Sequence, residues 1–148
     1  MSVNVLIVAA HSDDEALGCG GSIAWHVAKG DSVGAIFMAD GVTSRHDAMS
    51  SNVNERIASA SRAHEILGLE SVKYLDLPDN RMDGLPFLDV VQALENASQS
   101  INPEVIYTHH YGDLNIDHRV TQQAVMTAFR PFPGSSVREI YGFEVVSS

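Results

Sequence analysis

VNVLIVAAHSDDEALGCGGS, residues 3–22, decides the fold. Val3 to Ala9 is apolar and rich in β-branched residues, the composition of a strand buried on both faces, as in a parallel sheet. Behind it come a histidine and three consecutive acids, Asp13, Asp14 and Glu15, and only then the glycines. Acids side by side at a strand end repel one another, so a positive partner is expected there.

Working outward, strands and helices alternate. A helix is predicted over about 16–29, with Gly30 as its C′ residue, followed by a strand over Ser32–Ala39. The polar segment 41–51 leads to a helix capped by Asn52 and stopped by Gly68. Val72–Leu75 is a third strand, 87–99 a helix, Glu104–Thr108 a fourth strand, 118–129 a helix and Val137–Val146 a fifth strand. This order predicts an α/β fold: a doubly wound, Rossmann-like, mostly parallel sheet with helices on both faces and right-handed crossovers. Ligands in such folds bind at the carboxyl ends of the strands, near the point where strand order reverses.

The 148 residues suffice for one domain with a genuine core, and nothing divides the chain. Nineteen acids against nine lysines and arginines give a charge of −10 without any basic block, which argues against nucleic acid or an anionic membrane as partner. No apolar run approaches the roughly 18 to 20 residues of a membrane span. With no basic leader and a single cysteine, Cys19, the expectation is a soluble cytoplasmic protein. A homo-oligomer is left open.

Two polar segments leave strand ends at the ligand-binding edge: the one after the first strand and HHYGDLNIDH, residues 109–118. His11 and Asp14, three apart across a strand-to-helix turn, can converge on one point, with Asp13 to its side. Imidazole and carboxylate suit Zn²⁺, and catalytic zinc sites take three protein ligands and keep a position open. The third ligand is sought among His109, His110, Asp113, Asp117 and His118. His118 is favoured because the start of a helix fixes its position, and Asp117 or Asp113 could hold it or a neighbour from behind. Of the adjacent His109 and His110, at most one can face the site.

Simpler readings stand beside these. Glu15 is expected only to open the helix, where acids meet the dipole. Cys19 reads as a small core residue, and His26, His46 and His64 as surface. A dinucleotide binder is the rival pattern, since Asp40 ends the second strand where a ribose-binding acid would lie. The glycines, however, are spaced G-x-G-G and begin eight residues after the strand, behind three acids that would repel a pyrophosphate.

AAHSDDEALGCGGSIA resembles the A-H-P-D-D-E motif of the PIG-L/LmbE-like zinc-dependent N-deacetylases, and HHYGDLNIDHR resembles their second motif. DGVTSR, residues 40–45, and the spacing of Arg56, Ala63 and Leu67-Gly68 also fit. The resemblance implies removal of an acetyl group from an N-acetylated sugar, such as an N-acetylglucosamine conjugate or nucleotide sugar. His11, Asp14 and His118 match the metal ligands, and Asp13 the general base. Arg56, Asp40, Ser44, Arg45 and Asp113 are expected to contact substrate, and Asp117 to support a ligand. Ser12 replaces the usual proline, Ser59 stands where members often have a glutamate, and Asn115 replaces a histidine that assists the reaction, so His110 or Asn115 is expected to supply the donor. Members continue beyond the last strand, so the chain is expected to be a single catalytic domain, 1–148, lacking the family's C-terminal portion. Two alternatives are a metal-dependent hydratase of an unsaturated acid and a non-catalytic metal- or sugar-binding module. Retention of Asp13 argues against the second.

Overall fold

The computed structural model describes residues 1–39 and 50–146. In chain order the elements are β1 (Asn4–Ala9), α1 (Asp14–Ala28), β2 (Ser32–Ala39), α2 (Ser50–Leu67), β3 (Ser71–Leu77), α3 (Phe87–Ser98), β4 (Val105–His109), α4 (Ile116–Ala128) and β5 (Glu139–Phe143), with one 3-10 turn at Met82–Gly84. The strands form one sheet of order β3-β2-β1-β4-β5 with every pairing parallel. The doubly wound expectation is therefore met, and β1 lies at the centre.

Strand periodicity explains the two layers. Leu6, Val8 and Ala10 alternate with Val5, Ile7 and Ala9, so each set faces a different cluster. The first set, with Ile36, Met38 and Ile106, is covered by Val90, Val91 and Leu94 of α3 and Val120, Ala124 and Val125 of α4. The second, with Val33, Ala35 and Phe37, is covered by Cys19 and Ile23 of α1 and by Leu67 at the end of α2. Cys19 is thus a core residue, as its composition suggests. Its backbone leaves the helical region (φ −141°), which kinks α1 just beyond the acids.

Element boundaries shift where tertiary contacts override local pattern. β3 extends to Ser71 and Leu77 although Lys73 and Asp76 interrupt its apolar run, because an edge strand tolerates polar side chains. β5, the other edge, is shorter than expected and pairs only over Glu139–Phe143. α4 starts two residues early because the Asn115 side chain caps it.

β1 and β4 are neighbours although their chain order is far apart, and the winding reverses between them. The loops after both strands therefore open at the same crevice. α1 reaches it through Gly18, where an added Cβ would collide with the Phe143 ring of β5. Gly18→Ala is expected to cost about 1–3 kcal/mol by overpacking, read as a lower urea midpoint for the metal-free protein.

Candidate metal centre

The crevice is built around one oxygen. Asp14, buried at the first turn of α1, places Oδ2 3.3 Å from His11 Nδ1 and 3.2 Å from His118 Nε2. The same oxygen accepts the backbone N–H of His11 at 2.9 Å, which closes the strand-to-helix turn. Burial pushes the Asp14 carboxyl up, but the imidazoles of His109, His11 and His118 outweigh it and hold it well below the usual carboxylate range.

Each histidine is oriented from behind. His11 Nε2 meets Asp117 Oδ2 at 3.0 Å and Asp79 Oδ1 at 2.9 Å, leaving Nδ1 toward Asp14. Asp117 is itself pinned, since the backbone N–H groups of Asn80 and Met82 donate to its carboxylate. His118 Nδ1 donates to Asp113 Oδ2 at 2.9 Å, so Nε2 is the nitrogen turned to the centre. Carboxylates behind imidazoles fix ring orientation in metal sites. Burial depresses both imidazoles, but hydrogen bonds and charges reverse the sign: Asp117, Asp14 and Asp79 raise His11 to about 10, and Asp14 and Asp113 raise His118.

The residues fit a cation on two grounds. His118 Nε2 is buried with no hydrogen-bond partner among the described residues, and such an atom calls for a ligand or an unseen partner. In addition, among the described residues, Asp14, Asp79, Asp113 and Asp117 gather around the imidazoles of His11 and His118. Even with both charged, the cluster keeps a negative excess. The ligand atoms of His11, Asp14 and His118 lie within 4.8 Å of one another.

Asp13 lies at the mouth and is exposed, beside these groups. Partial burial of its carboxyl and the charge of Asp14 push it up, while His11, Arg56 and His118 pull the other way. Arg56, exposed on α2, is thus close enough for its charge to reach Asp13. Asp40, Ser44, Arg45 and His46 lie outside the described residues.

Several sequence readings are corrected. His109, not His110, enters the cluster, because β4 runs through His109 and the next residue turns away. His110 Nδ1 instead accepts the N–H of Gly112 at 3.0 Å, and its ring packs on Tyr111. Asn115 Oδ1 accepts the N–H groups of Asp117 and His118 and so caps α4, while its amide nitrogen lies 3.5 Å from Asn80 Oδ1. Asp113, assigned to substrate or to a place behind His118, bonds His118 Nδ1, and Asp117, sought behind His118 or a neighbour, bonds His11 Nε2. Glu15 does more than open a helix: it is buried, pushed up to about 7 by that burial, and faces buried His64 at 3.3 Å. His26 is likewise buried, bonded to Asp31 and Tyr107.

Asp79 was missed. Its loop reads locally as a turn, and only the parallel order of β3 brings it to the same edge as the two motifs.

Comparison with known proteins adds to this geometry. The sequence model of the PIG-L family, described as GlcNAc-PI de-N-acetylase, matches residues 6–129. The chain is similar to the uncharacterised deacetylase YaiS of Escherichia coli K12, 31% identical over 155 residues, 97% of this chain and 75% of that one. Among solved structures, the 4-carboxy-2-hydroxymuconate hydratase GalB of Pseudomonas putida KT2440 superposes with a TM-score of 0.73 at 25% identity, covering 100% of this chain and 63% of that one. The N,N′-diacetylchitobiose deacetylase of Pyrococcus horikoshii shares the fold, with a TM-score of 0.74 at 23% identity over 89% of this chain and 52% of that one. The chain therefore spans less than two thirds of either solved structure.

Because the surrounding carboxylates raise both histidines above the ordinary imidazole value when no metal is bound, a metal competes with protons for them. Zinc uptake at pH 7 is expected to release about one to two protons per ion, measured by titration calorimetry in buffers of different ionisation enthalpy. In the metal-free fold, the His11 contribution is complete below its ordinary value of 6.5 and is lost as the pH rises toward about 10. Melts in chelator across that window read the decline.

Proposed function

Since this chain belongs to the PIG-L family, the GlcNAc-PI de-N-acetylases, we propose that it hydrolyses the acetamido group of a small N-acetylated sugar or sugar conjugate at the crevice between β1 and β4. The observation that carries the reading is the buried Nε2 of His118, which makes no hydrogen bond among the described residues and faces the Asp14 carboxylate at 3.2 Å beside His11. These three residues would hold a divalent ion, with Zn²⁺ the best match to two imidazoles and a carboxylate. When bound, such an ion polarises the amide carbonyl and lowers the pKa of water toward about 7.

The chain's own residues do the rest. Asp13 takes a proton from the attacking water as the new C–O bond forms, and returns one to the sugar nitrogen as the C–N bond breaks, releasing acetate and the free amine. Its upward-shifted carboxyl suits both transfers. Arg56, with Asp40, Ser44 and Arg45 of the segment after β2, is assigned to substrate. Asp113 and Asp117 hold His118 and His11 in the orientations that leave one nitrogen of each for the ion.

A second reading, hydration of an unsaturated acid, is favoured by the full-length overlap of this chain with GalB. The two differ in what receives the water, an amide carbonyl or a carbon–carbon double bond. Acetate release from a panel of N-acetyl sugars and nucleotide sugars, abolished by chelator and restored by zinc, decides for the deacetylase. Loss of absorbance from an unsaturated acid, with no acetate released, decides for the hydratase.

Asp13→Asn is expected to keep zinc at one ion per chain while lowering kcat by about 10²-fold or more. Metal analysis and acetate assay of the same sample check it, and normal turnover would remove Asp13 from the base role.

A further inference from the structure

We infer that His109 is a positioning residue for His118: its ring, clamped by the Ala10 backbone, fixes the plane in which His118 presents Nε2. The inference rests on the metal-centre reading and carries it one shell outward.

His109 is fully buried at the end of β4. The N–H of Ala10, the residue that precedes His11, donates to His109 Nε2 at 2.9 Å. That nitrogen is therefore an acceptor, and the ring hydrogen sits on Nδ1. Although Nε2 lies 3.4 Å from Asp14 Oδ2, it has no hydrogen to give that oxygen, and its lone pair is already engaged. His109 Nε2 is thus engaged by the backbone, although the ring lies within ligand distance of Asp113 and His118.

What His109 does make is a stack. Its ring lies 3.9 Å from that of His118, centroid to centroid, at an interplanar angle of 15°. Phe143 packs against it at 4.8 Å. The His118 ring meets Asp113 through Nδ1 and faces Asp14 with Nε2 at 3.2 Å, two contacts at the ring edge that leave its tilt about the line between them unset. A parallel neighbour at contact distance removes that freedom. The Ala10 N–H fixes the neighbour, so the end of β1 orients the ligand carried by the loop after β4.

Burial of the unpartnered His109 Nδ1 points the same way. That nitrogen has no hydrogen-bond partner among the described residues, and leaving it so destabilises the fold. A leucine would fill the space without that cost; it would neither stack flat on His118 nor accept from Ala10.

His109→Phe keeps a flat ring but offers no acceptor to Ala10, whereas His109→Gln keeps an acceptor and loses the ring. Both full-length variants are expected to bind zinc about 10- to 100-fold more weakly in competition with a chelator. The visible absorption bands of the Co²⁺-loaded forms should shift from wild type, while cooperative melting is retained. A variant that melts cooperatively yet binds zinc as tightly as wild type, with an unchanged cobalt spectrum, overturns the inference. Loss of cooperative folding in both variants would assign His109 to the core and overturn it as well. Acetate release by the wild-type chain separates the two readings. Normal zinc binding without acetate release sinks the deacetylase and leaves His109 to be judged on its metal readouts.

Discussion

A carboxylate buried at the end of the central strand, facing two imidazoles at 3.2 and 3.3 Å, is the contact from which the crevice is organised. An isolated buried charge is prohibitive, so Asp14 requires its partners in place. One comes from its own turn and the other from a helix a hundred residues away, and only a parallel sheet with β1 beside β4 lets both reach it. The sheet order and the ligand group are therefore two aspects of one constraint. The strongly apolar β1 serves it by fixing the height and direction at which the acidic turn leaves the sheet.

Much of this was legible in residues alone, for reasons that differ from element to element. β1 is unmistakable because both of its faces are buried, and every second residue enters a different cluster. His11, Asp14 and His118 were legible because two polar segments leave strand ends at one edge, and a helix start fixes what it carries. The choice between His109 and His110 was not legible, since it depends on where β4 ends, and one residue reverses the facing side. Asp79 was hidden for another reason: nothing in PDN marks a ligand support until β3 is placed beside β2. Glu15 and His64 carry the same lesson in a helix. The first-turn position suggested a solvated acid at the dipole, whereas packing of α2 on α1 encloses it.

The reaction and the fold are separable here. GalB, named for hydration, and the chitobiose deacetylase both superpose on this chain, so the framework alone does not choose between adding water to a double bond and to an amide. On the proposed reading, an ion held at this edge would prepare water in either case. What would differ is the group held opposite it, and with it the side chains assigned to substrate under the proposed function, Arg56 among them.

Within the edge, rigidity is distributed so that no ligand depends on itself. Asp117 holds His11 and is in turn held by the backbone of the turn after β3. Asp113 holds His118, and the Asn115 cap ties both Asp117 and His118 to the start of α4. Ala10, between β1 and the acidic turn, clamps His109. Three loops are thereby tied together by the chain's own groups, and the carboxylates favour the protonated form of both imidazoles. On the proposed reading, such a preformed centre would exchange protons for metal without rebuilding its backbone, and the ordering entropy of the ligands would be met during folding rather than at binding. The same arrangement explains why so many buried acids are tolerated near one point: each orients a donor, and their shared negative excess is what a divalent ion neutralises.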